Sequence, residues 1–141
     1  MGRPLFLLAL SLLLGPLVMA QGIPYQPSGF CPKIIEHSYF HLCYDSFHRQ
    51  ASWVQYELTQ EMVNGKQKRT NDYRFDPLIE DPVYKTDYRG SGFDRGHLLP
   101  AADMKLNYQS MSETFLMSNM SPQEPHFNRE IWAAIEGQIR N

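Results

Sequence analysis

The sequence predicts an α+β fold with an antiparallel sheet, on the evidence of two strand-like segments and one helical segment. Residues 38–44 are rich in aromatic side chains, and residues 53–59 alternate apolar and polar side chains as a half-buried strand does. Near the end of the chain, four apolar side chains recur at helical spacing. This pattern predicts an amphipathic helix that begins near Phe127 and packs on one face. The four are Ile131, Trp132, Ile135 and Ile139.

Length and composition predict one domain of ordinary globular character. The chain has 141 residues, of which 43% are hydrophobic and 20% are charged, and a chain of this length can bury one core. The mean hydropathy of −0.43 excludes a polytopic membrane protein. We therefore expect a single folded domain over residues 36–141.

The first 20 residues have the pattern of a secretory signal peptide. Arg3 precedes an apolar run over residues 5–17, and small residues end the segment at Ala20. The alternative is an uncleaved anchor, but the run is shorter than the roughly 20 apolar residues that a spanning helix needs. We expect cleavage after Ala20, secretion, and no stable membrane insertion of the mature chain. Residues 21–35 are rich in Gly and Pro and predict an extended arm.

The charge balance is slightly acidic, which limits the classes of function. There are 13 basic and 15 acidic residues, and loss of Arg3 with the leader makes the net charge more negative. A passive polyanion-binding module needs many lysine and arginine contacts to phosphates, so the composition disfavours that class. It remains compatible with an enzyme that binds one phosphate locally through a metal ion and one or two arginines.

The two cysteines of the chain, Cys31 and Cys43, predict one disulfide. An exported protein reaches an oxidising compartment, where paired cysteines are normally oxidised. A zinc site is the alternative, because three histidines lie close by in the sequence, but it would need the Cys43 thiol that the disulfide consumes. These histidines are His37, His41 and His48.

Between the predicted strands and the predicted helix, the sequence favours turns and loops. Asn64-Gly65 is a strong turn signal. Residues 71–92 have no sustained period and contain two Asp-Pro pairs, so we expect a long surface loop, which usually carries function. Residues 118–123 predict the end of a strand followed by polar turn residues.

The segment Asp94-Arg95-Gly96-His97 contains residue types that phosphodiester hydrolysis requires. That reaction needs a base to activate water, a cation to stabilise developing charge, and donors that hold the phosphate. His97 suits the base because its ordinary pKa lies near the working pH. Arg95 has a planar fork that matches phosphate, and Gly96 allows close approach of the backbone. On residue types alone, a salt bridge and a turn are the commoner explanation.

A resemblance to a known family changes that balance. The chain contains Asp94-Arg95-Gly96-His97, then residues 118–123 (Ser-Asn-Met-Ser-Pro-Gln), then Phe127-Asn128 followed by Trp132 and Glu136. In content, order and spacing these elements resemble the DNA/RNA non-specific endonuclease family, to which endonuclease G also belongs. Each element alone is moderately specific, whereas three in order are strongly indicative.

The resemblance implies a ββα-metal (His-Me) finger, two strands and a helix around one divalent ion. His97 on the first strand would be the general base. Asn128 at the helix start would be the sole direct protein ligand of a hydrated Mg²⁺, with Mn²⁺ as the alternative ion. Glu136 would hold the water cluster of the metal, Arg95 would bind phosphate, and Asn119 would position the histidine and the neighbouring backbone.

Two further expectations come from the same resemblance. The family has a second site arginine upstream of the histidine motif. Here the candidates are Arg69, which we favour, and Arg74, and either could instead be a solvated surface charge. Members of the family also continue well beyond this helix, so the domain of residues 36–141 is expected to be incomplete at its C-terminus.

The function that the sequence favours is a secreted, metal-dependent, non-specific endonuclease that hydrolyses DNA and RNA. The alternatives are a catalytically inactive nucleic-acid-binding or surface-interaction protein on the same scaffold, and an exported hydrolase of another phosphodiester. The aromatic side chains of the predicted strands could form a base-stacking platform, although such aromatics more often belong to the core. These are Tyr39, Phe40, Tyr44, Trp53 and Tyr56.

Overall fold

The structure, a computed structural model, describes residue 27 and residues 29–141. The predicted signal peptide, its cleavage after Ala20 and residues 21–26 and 28 of the predicted arm lie outside the described residues. Among the residues that are described, no helix has the length and apolar character needed to cross a membrane.

A three-stranded antiparallel sheet forms the N-terminal part of the fold. Its strands are β1 (Lys33–Glu36), β2 (Phe40–Asp45) and β3 (Gln50–Tyr56), in that spatial order. The prediction of two neighbouring antiparallel strands is confirmed, since β2 pairs with β3 and Leu42 lies opposite Val54. The sequence did not predict β1, which occupies the end of the segment expected to be an extended arm.

The predicted disulfide is present and ties the segment before β1 to the middle strand. Cys31 and Cys43 are bonded, with their Cα atoms 5.7 Å apart. The thiol of Cys43 is therefore not a zinc ligand here. His37, another candidate for that alternative site, lies 2.9 Å from the carboxylate of Asp76, measured from Nε2 to Oδ2.

Short helices and an irregular segment follow the sheet. The first helix, α1 (Gln60–Asn64), starts at Thr59, whose hydroxyl accepts a hydrogen bond from the backbone N–H of Met62 at 3.3 Å. The segment predicted as a loop, residues 71–92, is mostly irregular and contains one 3₁₀ turn at Lys85–Tyr88. It is not wholly on the surface, because it also contributes buried side chains to the interior. Two of these are Asp76 and Ile79.

A second antiparallel pair carries the histidine motif. Strand β4 (Asp94–His97) pairs with β5 (Met120–Gln123), and helix α2 (Tyr108–Glu113) lies between them in the sequence. We expected polar turn residues where β5 lies, and that expectation is wrong. The strand forms because its backbone pairs with β4, and Pro122 is tolerated because β5 has no other neighbour in its sheet.

The interior is formed by apolar side chains of the first sheet and the segments that cover it. Leu42, Leu99 and Met104 have no exposed surface. Two of the aromatics considered as a stacking platform, Phe40 and Tyr44, are buried in this cluster, which makes them core residues. The other buried members of the cluster are Ile35 and Ile79, and Tyr39 and Tyr56 pack against it.

The C-terminal helix begins where predicted but does not pack as predicted. A π-helical segment (Phe127–Trp132) continues into α3 (Ala133–Ile139). The apolar stripe was expected to be buried, yet Ile131, Ile135 and Ile139 are 48%, 41% and 61% exposed. The expectation of a packed face is wrong for these residues, because no other part of the described chain covers them.

Candidate active site

The β4–β5 hairpin places His97 at the end of a strand, with close packing on its partner. Gly96 pairs with Ser121, and a Cβ atom added at Gly96 would lie 2.0 Å from the side-chain Cδ of Gln123. Only glycine leaves room for that side chain. The hairpin therefore has a fixed register, which turns the next residue, His97, into the interior.

The imidazole of His97 is buried beside two aromatic rings and has a free nitrogen. Its ring centroid lies 5.0 Å from that of Phe115 and 6.0 Å from that of Tyr73. Among the described residues, Nε2 is buried without a hydrogen-bond partner. Burial, reinforced by the charges of Arg69 and Arg95, lowers the pKa of His97 to about 3. The ring is therefore neutral at physiological pH and can accept a proton.

Asn119 holds the backbone that follows His97. Its Oδ1 accepts from the N–H of Leu99 at 2.8 Å, and its Nδ2 donates to the carbonyls of Leu99 and Thr114 at 3.0 and 2.9 Å. The backbone carbonyl of Asn119 also accepts from the N–H of Leu98 at 3.0 Å. These four hydrogen bonds fix the main chain around the histidine rather than its ring.

Asp94, at the start of β4, connects the hairpin to the C-terminal helix. Its carboxylate accepts two hydrogen bonds from Arg129, at 2.8 and 2.7 Å, and one from Nδ2 of Asn128 at 3.0 Å. The hydrogen bonds from Arg129 and then Asn128 lower the pKa of Asp94. An ionised carboxylate only accepts hydrogen bonds, so the amide nitrogen of Asn128 must face Asp94. The amide oxygen is the atom left for a ligand.

Two more polar contacts attach the same helix. Nε1 of Trp132 donates to the backbone carbonyl of His97 at 3.1 Å. Nη1 of Arg140 lies 2.7 Å from Oδ1 of Asp103, a buried carboxylate that also accepts from Tyr56. Between these contacts lies Glu136, whose pKa is raised by burial and by Asp103, although Arg140 opposes the shift.

The structure separates the two arginine candidates. The guanidinium of Arg69 lies 4.7 Å above the ring centroid of Phe115, beside His97, and its Nε donates to Asn71. Arg74 instead pairs with Asp72 and donates to a backbone carbonyl away from the histidine. Arg69 is therefore the upstream arginine that lies beside the histidine motif.

A cleft of about 200 Å³ collects five of the six site residues that the sequence indicated. Asn119 lies behind the cleft, in contact with the backbone. The sequence did not indicate three other contributors: Tyr73 in the cleft wall, Phe115 under the imidazole, and Asp94 as the partner of Asn128. Asp94 was visible within the histidine motif, whereas the irregular segment around Tyr73 offered no periodic signal. The five residues in the cleft are Arg69, Arg95, His97, Asn128 and Glu136.

Known proteins share the sequence pattern and the fold of this chain. Residues 22–141 match the DNA/RNA non-specific endonuclease family. The chain belongs to this family. It is 41% identical over 103 residues to human mitochondrial endonuclease G, covering 71% of this chain and 35% of that protein. It is 32% identical over 137 residues to a nuclease of Nostoc sp., covering 90% and 50%.

A solved structure of a similar protein has the same fold. In a crystal structure of an EndoG/EndoGI complex, the matched chain has a TM-score of 0.72 and 36% identity, covering 79% of this chain and 49% of that one. Strands β4 and β5 with the helix that begins at Phe127 form the ββα finger of this endonuclease family. The present chain spans about half or less of the length of these relatives.

Proposed function

We propose that this chain is part of a metal-dependent endonuclease that hydrolyses phosphodiester bonds of DNA and RNA without base specificity. The observation that carries the proposal is the cleft itself. It brings a neutral, buried imidazole, His97, together with two guanidinium groups, Arg69 and Arg95, and two oxygen-bearing side chains, Asn128 and Glu136. This combination provides a proton acceptor, phosphate donors and metal ligands in one place.

The oxygen donors fit a hydrated Mg²⁺, with Mn²⁺ as the alternative. Asp94 turns the amide of Asn128 so that its oxygen is available, and the carboxylate of Glu136 lines the same cleft. Mg²⁺ prefers oxygen ligands and keeps several waters, so it needs few protein ligands. Within residues 27 and 29–141 no group of three or more His, Cys, Asp or Glu side chains could hold a metal, which disfavours the Cys- and His-rich donor sets typical of structural zinc sites.

Each residue of the cleft has a separate role in the proposed hydrolysis. His97 accepts the proton of a water molecule, whose oxygen forms a bond to phosphorus while the bond from phosphorus to the 3′ oxygen breaks. The phosphate stays on the 5′ oxygen, so one product ends in a 5′-phosphate, and the 3′ oxygen of the other product gains a proton from solvent. Arg69 and Arg95 hold the non-bridging oxygens as charge develops on them. A bound divalent ion supplies further positive charge at the phosphate.

The decisive experiment replaces His97 in the complete parent protein and measures plasmid nicking with Mg²⁺. We expect His97→Ala to lower the rate per folded molecule by at least about 100-fold, the usual scale for loss of a general base. The matched control is His48→Ala, which removes an exposed histidine that contacts Asp45 outside the cleft. Imidazole in the buffer should partly restore the rate of the His97 variant.

Three further measurements test whether the protein cleaves DNA or only binds it. EDTA should stop nicking by the parent, and Asn128→Ala should weaken metal-dependent turnover far more than DNA binding. Because the pKa of His97 is about 3, protonation of His97 should cause no fall in kcat/KM between pH 5 and pH 8. A His97→Ala protein that nicks near the parent rate would contradict the mechanism. A parent that binds DNA but leaves supercoiled plasmid intact would favour an inactive binding protein.

The proposed location is extracellular, by export and cleavage after Ala20. Its support is the leader pattern of residues 1–20 together with the Cys31–Cys43 disulfide, a bond favoured in oxidising compartments. Several relatives are named as mitochondrial nucleases, endonuclease G among them, so the proposal of export rests on the leader pattern and the disulfide alone.

A further inference from the structure

A second basic depression continues from the active-site cleft. It has a volume of about 370 Å³ and is lined by Tyr73, Lys85, Arg89 and Arg95, together with two uncharged polar residues, Asn71 and Thr86. We call it the basic groove. Tyr73 and Arg95 line both the groove and the cleft, so the two form one continuous surface.

The cations of the groove are available to bind an external anion. Among the described residues, Lys85, Arg89 and Arg95 make no ion pair with an acidic side chain, and no acidic side chain lines the groove. The acid between Lys85 and Arg89 in the sequence, Asp87, accepts a hydrogen bond from the N–H of Tyr84 at 3.0 Å, and its carboxylate lies 3.8 Å from Arg49.

This concentration of positive charge is not a consequence of composition. The chain carries a net charge of −2, yet the residues that line the cleft and the groove include four cations, Arg69, Arg95, Arg89 and Lys85. Local basic patches on an otherwise acidic protein attract polyanions to that patch alone.

The groove also has a defined shape. Lys85 and Arg89 lie on either end of one 3₁₀ turn, which is closed by a hydrogen bond from the N–H of Arg89 to the carbonyl of Thr86 at 3.0 Å. The guanidinium of Arg95 lies 4.5 Å above the ring centroid of Tyr73, a stacking that holds Arg95 at the boundary between cleft and groove. The backbone positions of Lys85 and Arg89 are therefore set by the turn, and the guanidinium of Arg95 is held by its stacking on Tyr73.

We propose that the basic groove binds the sugar-phosphate backbone of the substrate strand beside the phosphate that is cleaved, with Lys85 and Arg89 as phosphate-contacting residues. The inference rests on the proposed endonuclease function and adds the path of the strand across the surface. Lysine and arginine contacts of this kind add affinity without base recognition. The groove thus selects polynucleotides over single nucleotides.

The test measures binding of a fluorescein-labelled single-stranded oligonucleotide to the complete parent protein by anisotropy, in EDTA so that no cleavage occurs. The variants are Lys85→Glu and Arg89→Glu. The control is Lys33→Glu, which makes the same charge change on β1, where Lys33 donates to the carbonyl of Leu78 and lines neither depression. Lys85→Ala and Arg89→Ala remove each positive charge without adding a negative one, so they show whether a loss of binding comes from the missing cation.

Each alanine variant should weaken binding about 5- to 10-fold at 0.1 M salt and lower the slope of log K against log salt by about 0.7, the value for one single-strand phosphate contact. The glutamate variants should weaken it further, and Lys33→Glu should stay within about 2-fold of the parent, as expected for a charge outside the binding path. In plasmid cleavage the groove variants should raise KM and leave kcat unchanged.

The outcomes separate this proposal from the proposed function. Groove variants that bind like Lys33→Glu, or that lower kcat with binding unchanged, would overturn the inference even if the parent cleaves DNA. A parent that fails to bind the oligonucleotide would overturn it as well. A parent that never nicks plasmid, but whose oligonucleotide binding depends on Lys85 and Arg89, would support the groove and reject the nuclease function.

Discussion

The N-terminal sheet and the C-terminal helix of this domain are held in place by different forces. The sheet is stabilised by side chains with little or no exposed surface, such as Leu42 and Phe40, and by the Cys31–Cys43 disulfide. The helix that follows Phe127 has no buried residue. Polar contacts join it to the rest of the domain, and its apolar stripe faces solvent.

The active-site cleft lies between these two regions and depends on both. His97 is fixed by the hairpin and by the backbone contacts of Asn119, on the apolar side of the domain. Asn128 and Glu136 are on the helix, so their positions depend on the polar contacts that Asp94 and Asp103 make. Burial of apolar area is non-directional, whereas hydrogen bonds and ion pairs fix orientation. Apolar burial therefore holds the region around His97, whereas directional polar contacts orient Asn128 and Glu136.

The largest expected effect on stability comes from the core of the sheet. Leu42 has no exposed surface and packs within the main apolar cluster. Leu42→Ala should lower the free energy of unfolding by about 2–5 kcal/mol, because it removes buried methyl groups and leaves a cavity. Chemical denaturation followed by circular dichroism measures this loss. A change below about 1 kcal/mol would contradict the assignment of this cluster as the core.

A smaller loss is expected where the helix is attached by a buried carboxylate. Asp103 is 1% exposed and accepts from Arg140 at 2.7 Å. Arg140→Ala should cost about 2 kcal/mol, less than for a fully buried pair, because Tyr56 still donates to Asp103. The control is Arg129→Ala, which breaks the more exposed pair with Asp94 and should cost about 0–1 kcal/mol. Equal losses in the two variants would show that burial of the carboxylate does not matter.

The pH dependence of stability should report the buried Asp76. Its burial raises the pKa, but hydrogen bonds from His37, Ser118 and the N–H of Leu78 outweigh this and leave the pKa below its usual value. A lowered pKa in the folded state gives stability that is present above the pKa of the unfolded chain and is lost as pH falls through the folded value.

The melting temperature should therefore fall on acidification below about pH 4, the ordinary aspartate range, and Asp76→Asn should flatten that fall. Thermal melts between pH 6 and pH 2.5 measure it. An Asp76→Asn protein with the same acid limb as the parent would mean that other carboxylates account for the whole effect.

The smallest effect is expected on the exposed stripe of the helix. Ile135 is 41% exposed, and Ile135→Ser in this chain should change the free energy of unfolding by less than about 0.5 kcal/mol, as surface substitutions usually do. Chemical denaturation, as for Leu42→Ala, measures the loss of unfolding free energy at both positions, Ile135 and Leu42. A loss comparable to that of Leu42→Ala would mean that the stripe is covered in solution.

The sequence by itself determined the features that depend on local pattern or on fixed residue order. Alternation in residues 53–59 indicated a strand, two cysteines behind a predicted leader indicated a disulfide, and the helix start near Phe127 followed from periodicity. The order of three motifs indicated the family and four of the side chains that the fold collects in one cleft. These signals are encoded in neighbouring residues or in characteristic spacing, so they do not need the third dimension.

The tertiary structure decided the features that depend on contacts between distant segments. Arg69 and Arg74 lie close together in the sequence, and only the approach of Phe115 to Arg69 and of the Ser112 carbonyl to Arg74 distinguishes their environments. Strand β5 exists because β4 pairs with it, against its local turn-like composition. An amphipathic pattern specifies which face of a helix is apolar, but what covers that face is set by other segments, and here Ile135 remains exposed.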